Sequence, residues 1–221
     1  HILNRESGFP ALEGLGSPSS WRVAGVVSPY QYAGFDESYD AVSSPSLDAH
    51  FEDSDVDTQV IPADGTRATF STPNSGVGFA EAFFDAPEGF DGILVAEGAA
   101  PVRIYVDDTL VVEYPTRERW ESDLLMRRVK VPAGTHRVLV QYGARGNYRM
   151  NLRLLSNDSR QIENFTAETR EWSQNSGVKI GDAATAYATR FLPDATTLND
   201  PARLALSELV RVTGASAESQ A

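Results

Sequence analysis

The stretch from Val102 to Leu155 constrains the fold of this chain more than any other part of its sequence. Apolar residues recur there at every second position, and each run ends in residues that are typical of tight turns. An alternation of period two is typical of a strand with one buried face and one solvated face. Several such strands in succession predict a mainly β chain, folded as an antiparallel β-sandwich or jelly roll.

The turn at Asp107-Asp108-Thr109 predicts a hairpin whose two strands share one apolar face. We expect that face to carry six residues: Val102, Ile104, Val106, Leu110, Val112 and Tyr114. The two strands can share a face only if an odd number of residues separates them, because a slip of one residue reverses every side chain. A three-residue loop meets this condition, and so does a two-residue loop with a bulge beside it.

Changes of pattern divide the 221 residues into four segments. We expect these to be a lead-in (1–20), a β-sandwich domain (21–156), a polar linker packed on the sandwich (157–180) and a helical segment (181–221). Within the sandwich domain, residues 29–63 hold no sustained period and predict a long ordered loop.

The C-terminal segment has helix signals at both ends of two short stretches. Asp182 can cap a first helix over 183–191, and Asn199 or Asp200 can cap a second one that ends at Gly214. Because the second stretch is apolar on more than one side, the segment looks like part of a helical repeat. We expect it to allow self-association with a neighbouring copy.

Composition excludes several classes of partner. The formal net charge is −12 with only two lysines, whereas binding to nucleic acid or to an anionic membrane surface needs clustered basic residues. No apolar run approaches the roughly 18–20 residues that span a bilayer, so we expect no membrane insertion. The absence of cysteine excludes disulfides and thiol chemistry. The chain begins without Met, which suggests a processed product or an excised fragment.

Two segments carry a resemblance to a known family. The hairpin V-R-I-Y-V-D-D-T-L-V at 102–111 is followed, some 18 residues later, by V-K-V-P-A-G-T-H-R-V-L-V-Q-Y at 129–142. This order of strands and turns resembles the PA14 and galactose-binding-like β-sandwiches. The opening W-R-V-A-G at 21–25 and the tail at 200–214 resemble sandwich modules of bacterial tetratricopeptide-repeat proteins, the tail being one partial repeat.

Calcium-dependent members of the PA14 family carry an Asp-Asp pair in the loop before the strand that matches Val102–Val106. Here that loop reads Gly98-Ala99-Ala100-Pro101, without a carboxylate. The resemblance therefore does not imply calcium-dependent sugar capture. The Asp107-Asp108 pair stands at a hairpin tip, where turns favour Asp in any case.

Asp53, Asp55 and Asp57 alternate as at the start of an EF-hand loop. Thr58 stands where that loop needs Gly, and Asp64 where it needs a bidentate Glu. We therefore expect no metal site and no cofactor. Loose binding of a cation by this acidic segment stays an open alternative.

Motifs for catalysis are absent from the sequence. No Gly-x-Ser-x-Gly elbow, His-x-x-x-His pair or glycine-rich phosphate loop occurs, and the three histidines are His1, His50 and His136. We expect His136 to pack at the end of the sheet, because it alternates with Val138 and Val140. The sequence thus predicts a protein that is not an enzyme.

Trp120 is the candidate centre of a binding site, because it lies in a charged segment that should be exposed. A flat aromatic ring beside Arg117 and Arg119, with Tyr114 at the end of the preceding strand, is typical of surfaces that bind sugars or peptides. The alternative is that Trp120 folds back as a plug over the end of the sandwich.

These observations predict a non-enzymatic binding or structural module that recognises carbohydrate or a cell-envelope polymer. The alternative is a protein-interaction or scaffolding module that docks on helical repeats or on a neighbouring copy. A periplasmic or extracellular location is favoured over a cytoplasmic one.

Overall fold

Two antiparallel sheets stack as a β-sandwich in the computed structural model, in agreement with the alternation of the sequence. The structure describes residues 16–28, 32–64, 67–70, 76–98, 101–114, 123–144, 146–156 and 162–183. No helix within these ranges is both long and apolar enough to cross a membrane.

The first sheet contains seven strands. Six of them follow one another in space as β2 (Thr58–Pro62), β1 (Ser20–Ser28), β4 (Gly76–Ala86), β9 (Gly134–Ala144), β6 (Val102–Val106) and β7 (Thr109–Tyr114). The seventh, β11 (Glu163–Thr166), pairs with the part of β4 that extends beyond β1.

The second sheet contains five strands. Their spatial order is β12 (Lys179–Ala183), β8 (Asp123–Val131), β5 (Phe90–Gly98), β10 (Tyr148–Ser156) and β3 (Arg67–Phe70). Strands β12 and β3 are therefore its two edges, and β5 runs through its middle.

The main core fills the space between the sheets. Strand β10 is a representative contributor, because Tyr148, Met150, Leu152 and Leu154 are each at most 2% exposed and alternate with polar residues. Each large apolar side chain buried in this way contributes about 1.5–3 kcal/mol. The alternation that predicted the strands is thus the pattern that fills this core.

The β6–β7 hairpin combines a two-residue turn with a bulge. Val106 pairs with Thr109 around Asp107-Asp108, and the register then shifts so that Ile104 opposes Val112 while Tyr105 opposes Leu110. Val111 is the extra residue, and its side chain is buried in the main core. This confirms one of the two predicted turn geometries. The predicted place of Leu110 on the core face is wrong, because the bulge puts Val111 there instead.

The sequence predicted one long loop over residues 29–63, and this prediction is wrong. The described part contains α1 (Tyr32–Phe35), a 3-10 turn (Asp40–Val42), α2 (Leu47–Phe51) and the edge strand β2. Helix α2 is too short to show a helical period, and its clearest signal is Ser46, whose hydroxyl accepts a hydrogen bond from the Ala49 N–H.

This insertion covers part of the outer face of the first sheet. A second apolar cluster forms there, in which Phe35, Ala41 and Leu47 pack against Val77, Phe79 and Leu139 of the sheet, with all six side chains buried. The first sheet is therefore buried on its inner face and also, at this insertion, on its outer one.

Residues after 156 add strands to both sheets, across the boundaries predicted at 157 and 181. β11 joins the first sheet, and β12 joins the second through the pairs Lys179–Lys130 and Ile180–Val129. Gly181–Ala183 are extended, because they continue this edge pairing. The predicted helices beyond residue 183 and the repeat that they suggest lie outside the described residues.

Candidate functional site

The binding site predicted around Trp120 falls largely outside the described residues, as Arg117, Arg119 and Trp120 itself do. Tyr114 is described: it ends β7, is half-buried and packs against the main core. Its ring therefore supports the sandwich, and the prediction of a ligand at this end of the molecule stays a prediction.

The acidic segment Asp53, Asp55 and Asp57 lies between α2 and β2, with all three side chains exposed. Within the described ranges, no three carboxylate or imidazole groups come together as a set that could hold a metal ion. The backbone of Asp57 has a structural contact, since its carbonyl accepts a hydrogen bond from the Gly25 N–H.

His136 is buried and bound to Asp107, 29 positions earlier in the chain. Its Nδ1 lies 2.8 Å from Asp107 Oδ2, and its Nε2 lies 2.9 Å from the Pro132 carbonyl oxygen. The Ser176 hydroxyl donates to the same carboxylate oxygen instead of contacting the imidazole. The hydrogen bonds among these three residues therefore connect the hairpin to the segment before β12. They do not form a nucleophile–base pair, because the serine hydroxyl contacts the carboxylate.

His50 lies near a serine in the insertion. Its Nδ1 is 3.2 Å from Ser44 Oγ, which can also donate to the Asp40 carbonyl at 3.2 Å. Burial lowers the pKa of His50, although the charge of Asp40 opposes this. Because Ser44 is bonded within its own turn, this pair is best explained as part of the insertion's local structure.

The outer face of the five-stranded sheet is the most distinctive polar surface of the described chain. The residues that point outward there alternate with buried ones, and the basic ones are Arg67, Arg128, Lys130, Arg149, Arg153 and Lys179. Among the side chains described there, the outward carboxylates are Asp91 and Glu97, so six basic groups lie with two acidic ones in a chain of net charge −12. Basic residues that look scattered in the sequence thus gather on one surface.

The middle of this face is apolar and shielded, whereas its margins are polar and exposed. Ile93 is only 5% exposed, and Val95 and Leu155 are half-buried. On one side of them, Asn151 donates a hydrogen bond of 2.9 Å to Glu97. A ligand that approaches this face therefore meets mainly the long polar side chains of its margins.

One margin contains the two lysines of the chain. Lys130 on β8 and Lys179 on β12 are direct cross-strand partners, so their side chains leave the same face of the sheet side by side. Lys130 Nζ lies 4.0 Å from Asp91 Oδ2, an exposed and weak contact. Like charges directly opposite one another destabilise a sheet, which makes this pair a candidate for a bound anion.

A shallow depression of about 150 Å³ lies at these lysines. We call it the two-lysine site. Its lining is Asp91, Arg128, Val129, Lys130, Lys179, Ile180 and Gly181. A Cβ atom at residue 181 would lie 2.9 Å from the Cβ of Arg128, so glycine makes the room in which the arginine side chain lies.

The sequence contained part of the signal for this site. Lys130 and Arg128 occupy the polar positions of an alternating strand, and Arg149 and Arg153 do the same on β10. Lys179, however, lies 49 positions after Lys130, and only the pairing of β12 with β8 brings the two together. The depression could not be found without that pairing.

Comparisons with known proteins find distant similarity at the level of structure. No protein-family model matches the chain. No curated protein matches it either. A beta-glucosidase from Kluyveromyces marxianus in complex with glucose is similar over 69% of this chain and 20% of its own, with 12% identity and a TM-score of 0.41. The Se-Met labelled form of that enzyme is similar over 67% and 20%, with 11% identity and a TM-score of 0.42. The chain thus spans about a fifth of the length of these enzyme chains.

Proposed function

We propose that this chain is a non-enzymatic module that binds a carbohydrate or cell-envelope polymer on the outer face of its five-stranded sheet. The observation that carries the proposal is the contrast between the two outer faces. The insertion packs on the first sheet, whereas the second sheet presents exposed Arg67, Lys130, Arg149 and Lys179 in regular rows.

The shape of this face suits an extended ligand. Five strands at a spacing of about 4.8 Å place β12 and β3 roughly 19 Å apart, with polar side chains at both margins. A polymer that crosses the strands can contact both margins at once. The two-lysine site is shallow and lies at one end of such a path.

The chemistry of the side chains also suits a hydroxyl-rich ligand. Sugar hydroxyls donate and accept hydrogen bonds, and the face offers both donors, such as Arg149, and acceptors, such as Asp91 and Glu97. Asn151 and Glu97, already joined by a hydrogen bond, form a preorganised polar pair. Preorganised groups lose less conformational entropy on binding than mobile ones do.

The buried histidine of the described chain has a structural role. Asp107, His136 and Ser176 are used to clasp the fold, and the Nε2 of His136 is occupied by a backbone carbonyl. A general base needs a ring nitrogen that can reach a substrate proton. We therefore propose recognition without turnover.

A protein-interaction role is the second candidate. Val60 on β2 and Ile180 on β12 are 54% and 45% exposed, and each belongs to the edge strand of a sheet. Edge strands with exposed apolar residues can pair with a strand of another chain. Docking on helical repeats or on a neighbouring copy would use these edges.

A glycan array probed with the full chain tests the proposal. We expect retention on one class of polysaccharide, with at least a fivefold loss in the double variant Arg149→Ser/Lys130→Ser. The control Gln59→Ser changes an exposed residue of β2 on the first sheet and should leave retention unchanged. If no saccharide is retained, or if the two variants behave alike, the proposal is wrong. Binding only to a protein partner would favour the second candidate.

A further inference from the structure

We infer that the two-lysine site holds the anionic group of an acidic sugar residue, such as the carboxylate of a uronate. The inference rests on the proposed function and names the ligand chemistry of one part of the same face. It is carried by the juxtaposition of Lys130 and Lys179 with Arg128 around a depression.

The charges of the site are unbalanced. Of the described residues that line it, three are cationic and one is a carboxylate, Asp91, which lies 4.0 Å from Lys130 Nζ. Among the described residues, Lys179 has no ion pair of its own. Cross-strand partners have Cβ atoms about 4.5–5.5 Å apart, so both ammonium groups can reach one anion between them, and like charges placed directly opposite destabilise a sheet. A bound anion would relieve this repulsion.

The shape of the site suits one residue of a longer ligand. The depression measures about 150 Å³ and is shallow, so it can receive one sugar residue while the rest of a polymer lies outside it on the face. The side chain of Ile180 leaves the opposite face of the sheet, because Ile180 pairs with the buried Val129, so the side-chain contacts that the site offers are polar.

Each polar group of the site has a distinct use in this arrangement. The guanidinium of Arg128 can bind both oxygens of a carboxylate, whereas the lysines act as point charges on either side. Asp91 can accept a hydrogen bond from a sugar hydroxyl and at the same time opposes a ligand of high charge density. The strongly negative remainder of the chain acts in the same direction, which favours a single-chain polymer with one charge per sugar over duplex DNA, whose two strands together carry one charge per about 1.7 Å of helix axis.

Calorimetric titration of the full chain tests this inference. The probes are an oligogalacturonate, a neutral oligosaccharide of the same length, a sulfated one and a DNA oligonucleotide. The variants are Lys130→Gln, Lys179→Gln and their double variant. Gln59→Glu is the matched control, because it shifts the net charge by the same single unit on the other sheet.

We expect the oligogalacturonate to bind more tightly than the neutral probe and to weaken as salt is raised. Each lysine variant should lose about three- to tenfold in affinity, and the double variant at least tenfold, which matches one charge-assisted contact each. Gln59→Glu should lose less than twofold. If the sulfated probe binds more tightly than the oligogalacturonate, and the lysine variants lose affinity for it by the same factors, the two-lysine site is an anion site for a sulfated sugar.

Two results would overturn the inference while leaving the proposed function in place. The first is that the neutral oligosaccharide and the oligogalacturonate bind equally tightly. The second is that the lysine variants and Gln59→Glu weaken the binding of the oligogalacturonate to the same extent. Tighter binding of DNA than of every saccharide would overturn it by assigning the site to nucleic acid. If no saccharide binds at all, the inference and the proposed function fail together.

Discussion

Arg137 on β9 and Glu81 on β4 form an ion pair in which both side chains are completely buried, with 2.7 Å between Nε and Oε2. The pair fastens the insertion to the first sheet. Arg137 donates to the carbonyl oxygens of Ala41 and Ser44, each at 2.9 Å, and Glu81 accepts from the Leu47 N–H at 2.8 Å. Burial raises the pKa of Glu81, although the charge of Arg137 opposes this.

Removal of either member of this pair should destabilise the protein strongly. Glu81→Gln and Arg137→Met should each lower the free energy of unfolding by about 3–5 kcal/mol, because each leaves a buried charge without its partner. The double variant should lose about 1–3 kcal/mol less than the sum of the two single losses. Urea denaturation of all four proteins gives this coupling energy directly, and strict additivity would show that the pair does not act as a unit.

Asp107 should be sensitive to the choice of replacement. Its φ is 56°, in the left-handed region that Asp and Asn tolerate, and its carboxylate bonds His136 and the Arg137 N–H. Asp107→Ala should therefore cost about 2–3 kcal/mol, and Asp107→Asn about half as much, since Asn keeps the turn and one acceptor. Thermal and urea melts check this order. Equal losses would mean that neither the backbone conformation nor the remaining acceptor matters.

Asp85 should lower the free energy of unfolding as the pH falls into the acid range. Burial alone raises the pKa of this carboxyl, but hydrogen bonds from Asn164, Thr135 and Arg170 outweigh burial and hold it below its ordinary value of 3.8. A group whose pKa is lowered in the folded state stabilises the fold above its unfolded pKa and loses that contribution as pH falls through the folded one.

The corresponding variant is Asp85→Asn. At neutral pH it should be less stable than the parent by about 1 kcal/mol, and the difference should shrink as pH falls below about 3.8. Urea denaturation of both proteins, at neutral pH and again below about pH 3.8, measures this difference. A difference that is the same at both would exclude the ionised carboxylate as its cause.

Much of the sandwich can be predicted from the sequence, because alternation is a local property. The alternation from Tyr148 to Leu154 predicts both the strand and the side of it that is buried. β11 and β12 escape detection since four or five residues show no reliable period, and their pairing partners lie far away in the chain. The helices of the insertion are missed for the same reason.

Less of the two-lysine site than of the sandwich can be predicted from the sequence. Arg128 and Lys130 can be placed on an outward face from the sequence, but nothing local connects them to Lys179. Likewise, Glu81 reads as one acidic residue among 31, and its burial follows only from the pairing of β4 with β9 beneath the insertion. The positions of these charged residues therefore depend on tertiary pairing, which short-range patterns do not encode.

The like-charge pair should also affect stability without any ligand. Lys179→Gln should raise the free energy of unfolding by up to about 0.5 kcal/mol at low salt, because it removes the repulsion with Lys130. The gain should fall as salt approaches about 1 M, where the Debye length is about 3 Å. Parallel urea melts at the two salt concentrations decide this. A loss of stability at low salt would show that Lys179 has a stabilising partner instead.

We propose that the outer face of the five-stranded sheet is the binding surface. Backbone amide chemical shifts of the full chain, followed during titration with an oligogalacturonate, test it most directly. We expect the largest changes at Asp91, Arg128, Lys130 and Lys179, with smaller ones on β10. Changes confined to the end of the sandwich beside Tyr114, or to the insertion over the first sheet, would contradict it.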